Sequence, residues 1–186
     1  TSFRDQMMQF GLIMSGNYLG PNLRNEFGKI PPAFLPVGSS RLFIKQISYL
    51  RKLGIDWIYM SIPEEYLISE YDKQILADLP ITLIPIDPKM GSGESFKNSI
   101  IKIYSERGNV DLTVLFGDTL FPDSSISGSN TISVSFASSD LAWGVPKSCA
   151  SNDLVYTGLM RLDLDENISA GQNWPTERIN CSTCGI

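Results

Sequence analysis

The sequence predicts an α/β domain with a mixed, mainly parallel sheet covered by helices on both faces. Three observations carry that expectation. Four short apolar runs, at residues 10–14, 56–62, 81–86 and 111–116, have the length and content of buried strands. Stretches with helical periodicity separate them and are long enough for crossovers, so these strands should run parallel. Beyond residue 121 two more strand-like runs follow with no helix between them, which mixes the sheet at one end.

The first strand, FGLIM at 10–14, stops at Ser15-Gly16. The loop from 15 to 40 is long and rich in Gly and Pro. It also holds Phe34, Leu35 and Val37, residue types that favour an ordered, functional loop. Residues 41–53 read as a helix, with Phe43, Ile47 and Leu50 on one face, Arg51 and Lys52 in its last turn and Gly54 ending it. Residues 56–62 (DWIYMSI) form the second strand, closed by Pro63. A second helix is expected over 64–79, with acidic residues in its first turn and Leu67, Tyr71 and Ile75 in register. ITLIPI at 81–86 is the third strand, and Pro85 favours an edge or a strand end. A third helix starts near Glu94, buries Phe96, Ile100 and Ile103, and stops at Arg107-Gly108. DLTVLF at 111–116 runs into Gly117-Asp118. Residues 131–136 and 154–162 are the later strands. The domain is placed at 1–162, with 163–186 as a polar tail or the start of a further segment.

Composition narrows the chemistry. The 186 residues are 42% hydrophobic and 19% charged, ordinary for a globular domain. The net charge of -5, without any long Lys/Arg run, argues against nucleic acid as a partner. No apolar stretch approaches the roughly 20 residues that span a bilayer, and residues 1–10 lack a secretory core. The expectation is therefore a soluble cytoplasmic protein with no membrane partner. The chain has no histidine, which removes Ser-His-Asp and Cys-His mechanisms and most zinc enzymes. Carboxylates, Lys, Arg, backbone amides or a hard metal ion are what remain.

Open α/β sheets bind ligands beyond the carboxyl ends of their strands. Those ends carry Ser15-Gly16-Asn17, Ser61-Ile62-Pro63, the 87–94 loop and Gly117-Asp118. Asp118 suits a metal ligand held against phosphates, with an Asx turn or helix cap as the plainer reading. In the loop DPKMGSGE, Gly91, Ser92, Gly93 and Glu94 open a helix whose free amides can meet an anion or a base edge. Two glycines at a helix start are also ordinary turn chemistry. Arg24 and Lys29 are the cations of the first loop that could reach phosphates, or they are plain surface charges. Cys181 and Cys184 form a CxxC that reads as solvated tail cysteines, with a metal shared between chains as the other reading.

LIMSG (12–16), IPPAFLPVG (30–38), RLFIKQISYLRKLGID (41–56), GSGES (91–95), VLFGDTLF (114–121) and VYTGLM (155–160) together resemble the sugar-phosphate nucleotidyltransferases. LPVG before the long helix and FGD at the strand end are the most specific of these. The resemblance covers residues 10–162 and implies a Rossmann-related, three-layer α/β/α fold of the glycosyltransferase-A-like type. It also implies a reaction: nucleotidyl transfer from a nucleoside triphosphate to a sugar 1-phosphate or related phosphorylated metabolite, releasing pyrophosphate, with Mg²⁺ as cofactor. The first loop resembles the branch that serves surface-polysaccharide precursor synthesis. By this likeness Asp118 is the metal ligand, Ser15, Gly16 and Asn17 begin the nucleotide loop, and Gly91, Ser92, Gly93 and Glu94 read the base. Arg24 and Lys29 are the expected catalytic phosphate contacts on the strength of their place in the first loop, not of a matching family motif.

The chain departs from the family pattern at two places. The tight G-x-G-T-R loop is replaced by a longer run that reaches Arg24 late. The family's Pro-Lys lysine has Pro32 in its slot, with Lys29 three residues upstream. A catalytically degenerate nucleotide- or sugar-nucleotide-binding domain of a larger biosynthetic protein is therefore the alternative. A glycosyltransferase ranks last, because no Asp-x-Asp pair follows the fourth strand. A further domain or a homo-oligomer is compatible with either leading reading.

Overall fold

The computed structural model describes residues 8–120, 131–137 and 153–164. Strands β1 (Phe10–Met14), β4 (Trp57–Pro63), β5 (Ile81–Ile86) and β6 (Asp111–Phe116) lie in one six-stranded sheet with β7 (Thr131–Ala137) and β8 (Asp153–Asp163). Their order is β5-β4-β1-β6-β8-β7. The first four are parallel, whereas β8 is antiparallel to both β6 and β7. The mixed, mainly parallel sheet is thus as expected. Pro85 sits in β5, an edge strand, where its missing N–H breaks no ladder on the open side.

Helices α2 (Leu42–Lys52), α3 (Glu70–Ala77) and α4 (Ser92–Arg107) cover the sheet. Strand alternation decides which face each one meets. Ile13, Ile58, Met60, Ile62 and Leu115 pack with Phe43, Ile47 and Leu50 of α2 and Leu76 of α3. Phe10, Leu12, Tyr59, Leu112 and Val114 pack with Ile100 and Ile103 of α4 on the other face. Each fully buried Ile or Leu stabilises the fold by about 1.5–3 kcal/mol. Helices on opposite faces, with β1 between β4 and β6, create a switch point at the carboxyl end of β1.

The loop from 15 to 40 is ordered, as its apolar residues predict. It holds a short helix α1 (Pro21–Phe27), a 3₁₀ turn (Pro32–Phe34) and a small hairpin of β2 (Pro36–Val37) and β3 (Ser40–Arg41). The Leu19 amide donates to the Ile30 carbonyl at 3.0 Å and closes the base of α1. Phe34 is buried between Phe43 and Tyr66, with ring centroids 5.1 Å from each.

One helix differs from expectation. α3 begins at Glu70 rather than 64, and Leu67, assigned to its buried face, is 91% exposed. Tyr71 is exposed too, and the inward positions are Asp72 and Leu76. The signal that wins is Ser69, whose side chain accepts the Asp72 amide at 3.1 Å and caps the helix. The acidic pair Glu64-Glu65 belongs instead to the turn after β4, where the Glu64 amide donates to the Ile86 carbonyl. α4 starts two residues earlier than expected, with Gly91 as its N-cap. Cys149, Cys181, Cys184 and the tail from 165 lie outside the described residues.

Candidate functional site

The parallel register sets all four strand ends on one rim: Met14 pairs with both Ser61 and Phe116, and Ser61 pairs with Ile84. An open cleft of about 370 Å³ lies there. The post-β1 loop contributes Asn17, Tyr18 and Leu19 to it, and Arg24 and Lys29 come from α1 and the segment that follows. The post-β4 turn adds Glu64 and Glu65, and the post-β5 loop adds Asp87, Pro88 and Lys89. Three cations therefore face three carboxylates.

Lys29 is not free. Its Nζ bonds to Glu65 Oε1 at 2.8 Å and sits 4.5 Å from the centre of the Tyr18 ring. Both charged side chains are about half exposed, at 52% and 55%. The hydrogen bond from Lys29, with its charge, holds the Glu65 carboxyl below its ordinary range. Burial, reinforced by the Glu65 charge, pushes the Tyr18 phenol up. The proposed phosphate cation is thus bound across the cleft mouth to a carboxylate, and an anion must compete for it.

Ser15 directly precedes the loop that borders the cleft. It is buried, its amide donates to Ser61 Oγ at 3.0 Å, and its own Oγ accepts the Ala33 amide at 3.0 Å. Its side chain secures the first loop to the 3₁₀ turn. Gly16 approaches α4 closely: a Cβ there would stand 3.0 Å from Ser95 Oγ and 3.3 Å from Ile86. That contact brings the first loop beside the first turn of α4. Gly91, Ser92, Gly93 and Glu94 are exposed there, and added Cβ atoms on either glycine would meet nothing within 4 Å. Neither glycine is demanded by local packing, so their absent side chains leave the helix N-terminus uncovered.

Asp118 occupies the rim on the β6 side of β1 and is not among the residues lining the cleft. It sits in a turn closed by the Thr119 amide donating to the Phe116 carbonyl at 3.1 Å, and its Oδ1 accepts from Thr119 Oγ1 at 3.1 Å. The carboxylate is exposed. Among the described residues no group of three or more His, Cys, Asp or Glu could hold a metal ion. An exposed carboxylate on this rim fits Mg²⁺, which takes one or two carboxylates and completes its shell with substrate phosphates and water.

Gln46 is one residue that sequence reasoning missed. It is fully buried on α2, and its Nε2 donates to the carbonyls of Phe116, Gly117 and Thr119 at 3.1, 3.0 and 2.9 Å. The signal was present in the sequence, since a glutamine falls within the buried stripe of Phe43, Ile47 and Leu50. A polar group there requires partners. Tyr18, Glu65 and Lys89 went unmarked because nothing local distinguishes them from surface residues.

No family model matches the sequence. No curated protein matches it. Solved structures do resemble it. The inositol-1-phosphate CTP transferase from T. maritima superposes with a TM-score of 0.66 at 18% identity, covering 92% of this chain and 77% of that one. A putative glucose-1-phosphate thymidylyltransferase from Bacillus anthracis gives 0.63 at 16%, covering 91% and 76%. A UDP-glucose pyrophosphorylase complexed with UDP-glucose gives 0.59 at 16%, covering 88% and 80%. At these identities the likeness establishes the fold: this is the glycosyltransferase-A-like α/β architecture of nucleotidyltransferases.

Proposed function

We propose that the chain transfers a nucleotidyl group from a nucleoside triphosphate to a sugar 1-phosphate or related phosphorylated metabolite, in the supply of surface-polysaccharide precursors. One observation carries this reading. The first loop at Gly16 and the uncovered start of α4 lie side by side at the switch point of the sheet, with Asp118 on the same rim. The neighbours of like fold carry substrates of this class in their names, which favours the same chemistry here.

The reaction asks little proton chemistry of the protein. A phosphate oxygen of the acceptor, already anionic, forms a bond to the α-phosphorus, and the bond to the pyrophosphate oxygen breaks. No general base is needed, which suits a chain without histidine. The protein's work is positioning and charge stabilisation. Gly91 to Glu94 present helix amides to the nucleotide. Arg24 and Lys29 approach the phosphates from the cleft, and Lys29 exchanges Glu65 for phosphate as it does so. Ser15 ties the first loop to the 3₁₀ turn, and Gly16 and Asn17 begin the loop that borders the cleft. Asp118 would hold Mg²⁺, whose charge would offset that of the phosphates. No helix among the described residues is long and apolar enough to cross a membrane, and the proposed substrates are soluble.

Pyrophosphate release from a panel of nucleoside triphosphates and sugar 1-phosphates, with Mg²⁺, tests the proposal. Folded protein that releases none in any combination removes it. The Lys29–Glu65 pair, with Pro32 in the slot of the family's phosphate lysine, favours a second reading: a domain that binds nucleotide or sugar nucleotide without turnover. Calorimetric binding with no pyrophosphate release supports that reading. Turnover that vanishes in Asp118→Ala excludes it.

A further inference from the structure

We propose that Gln46 is the positioning residue for Asp118: its buried carboxamide holds the turn that presents this carboxylate to a metal–phosphate complex. The proposal rests on Asp118 being the metal ligand. Phe116, Gly117 and Thr119 flank Asp118 on both sides, and one NH₂ group holds all three of their carbonyls. Two hydrogens shared among three acceptors make a forked contact, which fixes the backbone before and after the carboxylate. The amide orientation follows from its surroundings, because the flipped form would set Oε1 against three carbonyl oxygens.

Gln46 Oε1 has no partner among the described residues. A buried unsatisfied carbonyl is unfavourable. An apolar residue here would avoid it and match Phe43, Ile47 and Leu50 on the same stripe. The turn is the reason a glutamine serves better. The other side of the turn is fixed as well. The Gly117 amide donates to the Met14 carbonyl at 2.8 Å, and a Cβ on Gly117 would stand 2.6 Å from that oxygen. Asp118 is therefore held between the end of β1 and the interior of α2, while its side chain stays exposed. A ligand held in this way loses less freedom when it meets its ion, and groups that orient metal ligands typically contribute about 10–100-fold in affinity.

The test measures binding of Mn²⁺ with inorganic tripolyphosphate, following free Mn²⁺ by electron paramagnetic resonance, and binding of metal-free tripolyphosphate by calorimetry. Gln46→Met keeps side-chain length and removes the donor. Gln46→Glu keeps the shape and donates only when protonated, a form its carbonyl surroundings favour. The expected result for Gln46→Met is about tenfold weaker Mn²⁺–tripolyphosphate binding with metal-free binding unchanged. Faster amide exchange at residues 117–119 should accompany it. For Gln46→Glu, the deficit relative to the parent should shrink as pH falls from 8 to 6.

Equal losses with and without metal in Gln46→Met would make Gln46 a general structural residue and overturn the proposal. Metal binding that is lost in Asp118→Asn but normal in Gln46→Met would overturn it while leaving the reading of Asp118 intact. Metal binding unaffected by Asp118→Asn would remove that reading, and this proposal with it. Should Gln46→Met fail to fold, the pH profile of Gln46→Glu decides, and a deficit constant with pH overturns the proposal.

Discussion

Replacing Gly117 with alanine places a methyl group where backbone already is. The new Cβ would stand 2.6 Å from the Met14 carbonyl oxygen, 2.9 Å from Ser15 Cβ and 3.0 Å from Ser15 Oγ. Ordinary contact begins near 3.4 Å, so the end of β1 or the turn after β6 must move by most of an ångström. Neither yields easily. Ser15 is held by bonds to Ser61 and from Ala33, and the Gly117 carbonyl is held by Gln46. Overpacking of this kind costs about 1–3 kcal/mol. The displaced Gly117–Met14 hydrogen bond adds about 0.5–1.5 kcal/mol. The total, roughly 1.5–4.5 kcal/mol, corresponds to a melting point lowered by about 3–18 °C for a domain of this size. Urea unfolding followed by circular dichroism measures it directly. Gly117→Ala within about 0.5 kcal/mol of the parent, a typical surface value, would refute the close-packed rim on which the placement of Asp118 depends.

Gly93→Ala should behave oppositely: it stabilises α4 by about 0.5–1 kcal/mol, because the methyl meets nothing in the protein. If α4 receives the nucleotide, the same change weakens binding by roughly fivefold or more, about 1 kcal/mol by calorimetry. Asp72→Ala leaves Arg41 Nε and Ser69 Oγ without the carboxylate that each meets at 2.8 Å. Because Arg41 is 31% exposed and can rehydrate, the expected loss is about 1–3 kcal/mol in urea unfolding, not the full cost of a buried charge. Glu65→Gln should free Lys29 and tighten tripolyphosphate binding by about two- to fivefold at low salt, while Lys29→Ala weakens it. The Glu65 pKa is lowered in the folded protein from an ordinary 4.5. Its contribution to stability is therefore present above that value and disappears as pH falls through the lowered one. The acid limb of a stability profile should be shallower in Glu65→Gln.

The sequence alone carried the periodicities, and these determined the layers. Runs such as FGLIM and DLTVLF, separated by helical stretches, specify parallel strands, and parallel strands place their carboxyl ends on one rim. The positions of Gly16, Gly91 and Asp118 at strand and helix ends were legible for that reason. The start of α3 was misread because acidic residues mark helix starts only on average, whereas Ser69 makes the actual capping bond. Tertiary structure alone decided the rest. It set Lys29 against Glu65, 36 residues apart, and Gln46 against carbonyls 70 to 73 residues away. It also placed Asp118 on the β6 side of β1, apart from the cleft bounded by the loops after β4 and β5. The physical reason is one of range. Backbone pattern is written in the spacing of neighbouring side chains, but the partner of a charge or an amide depends on which distant segment the packed sheet brings within hydrogen-bonding distance.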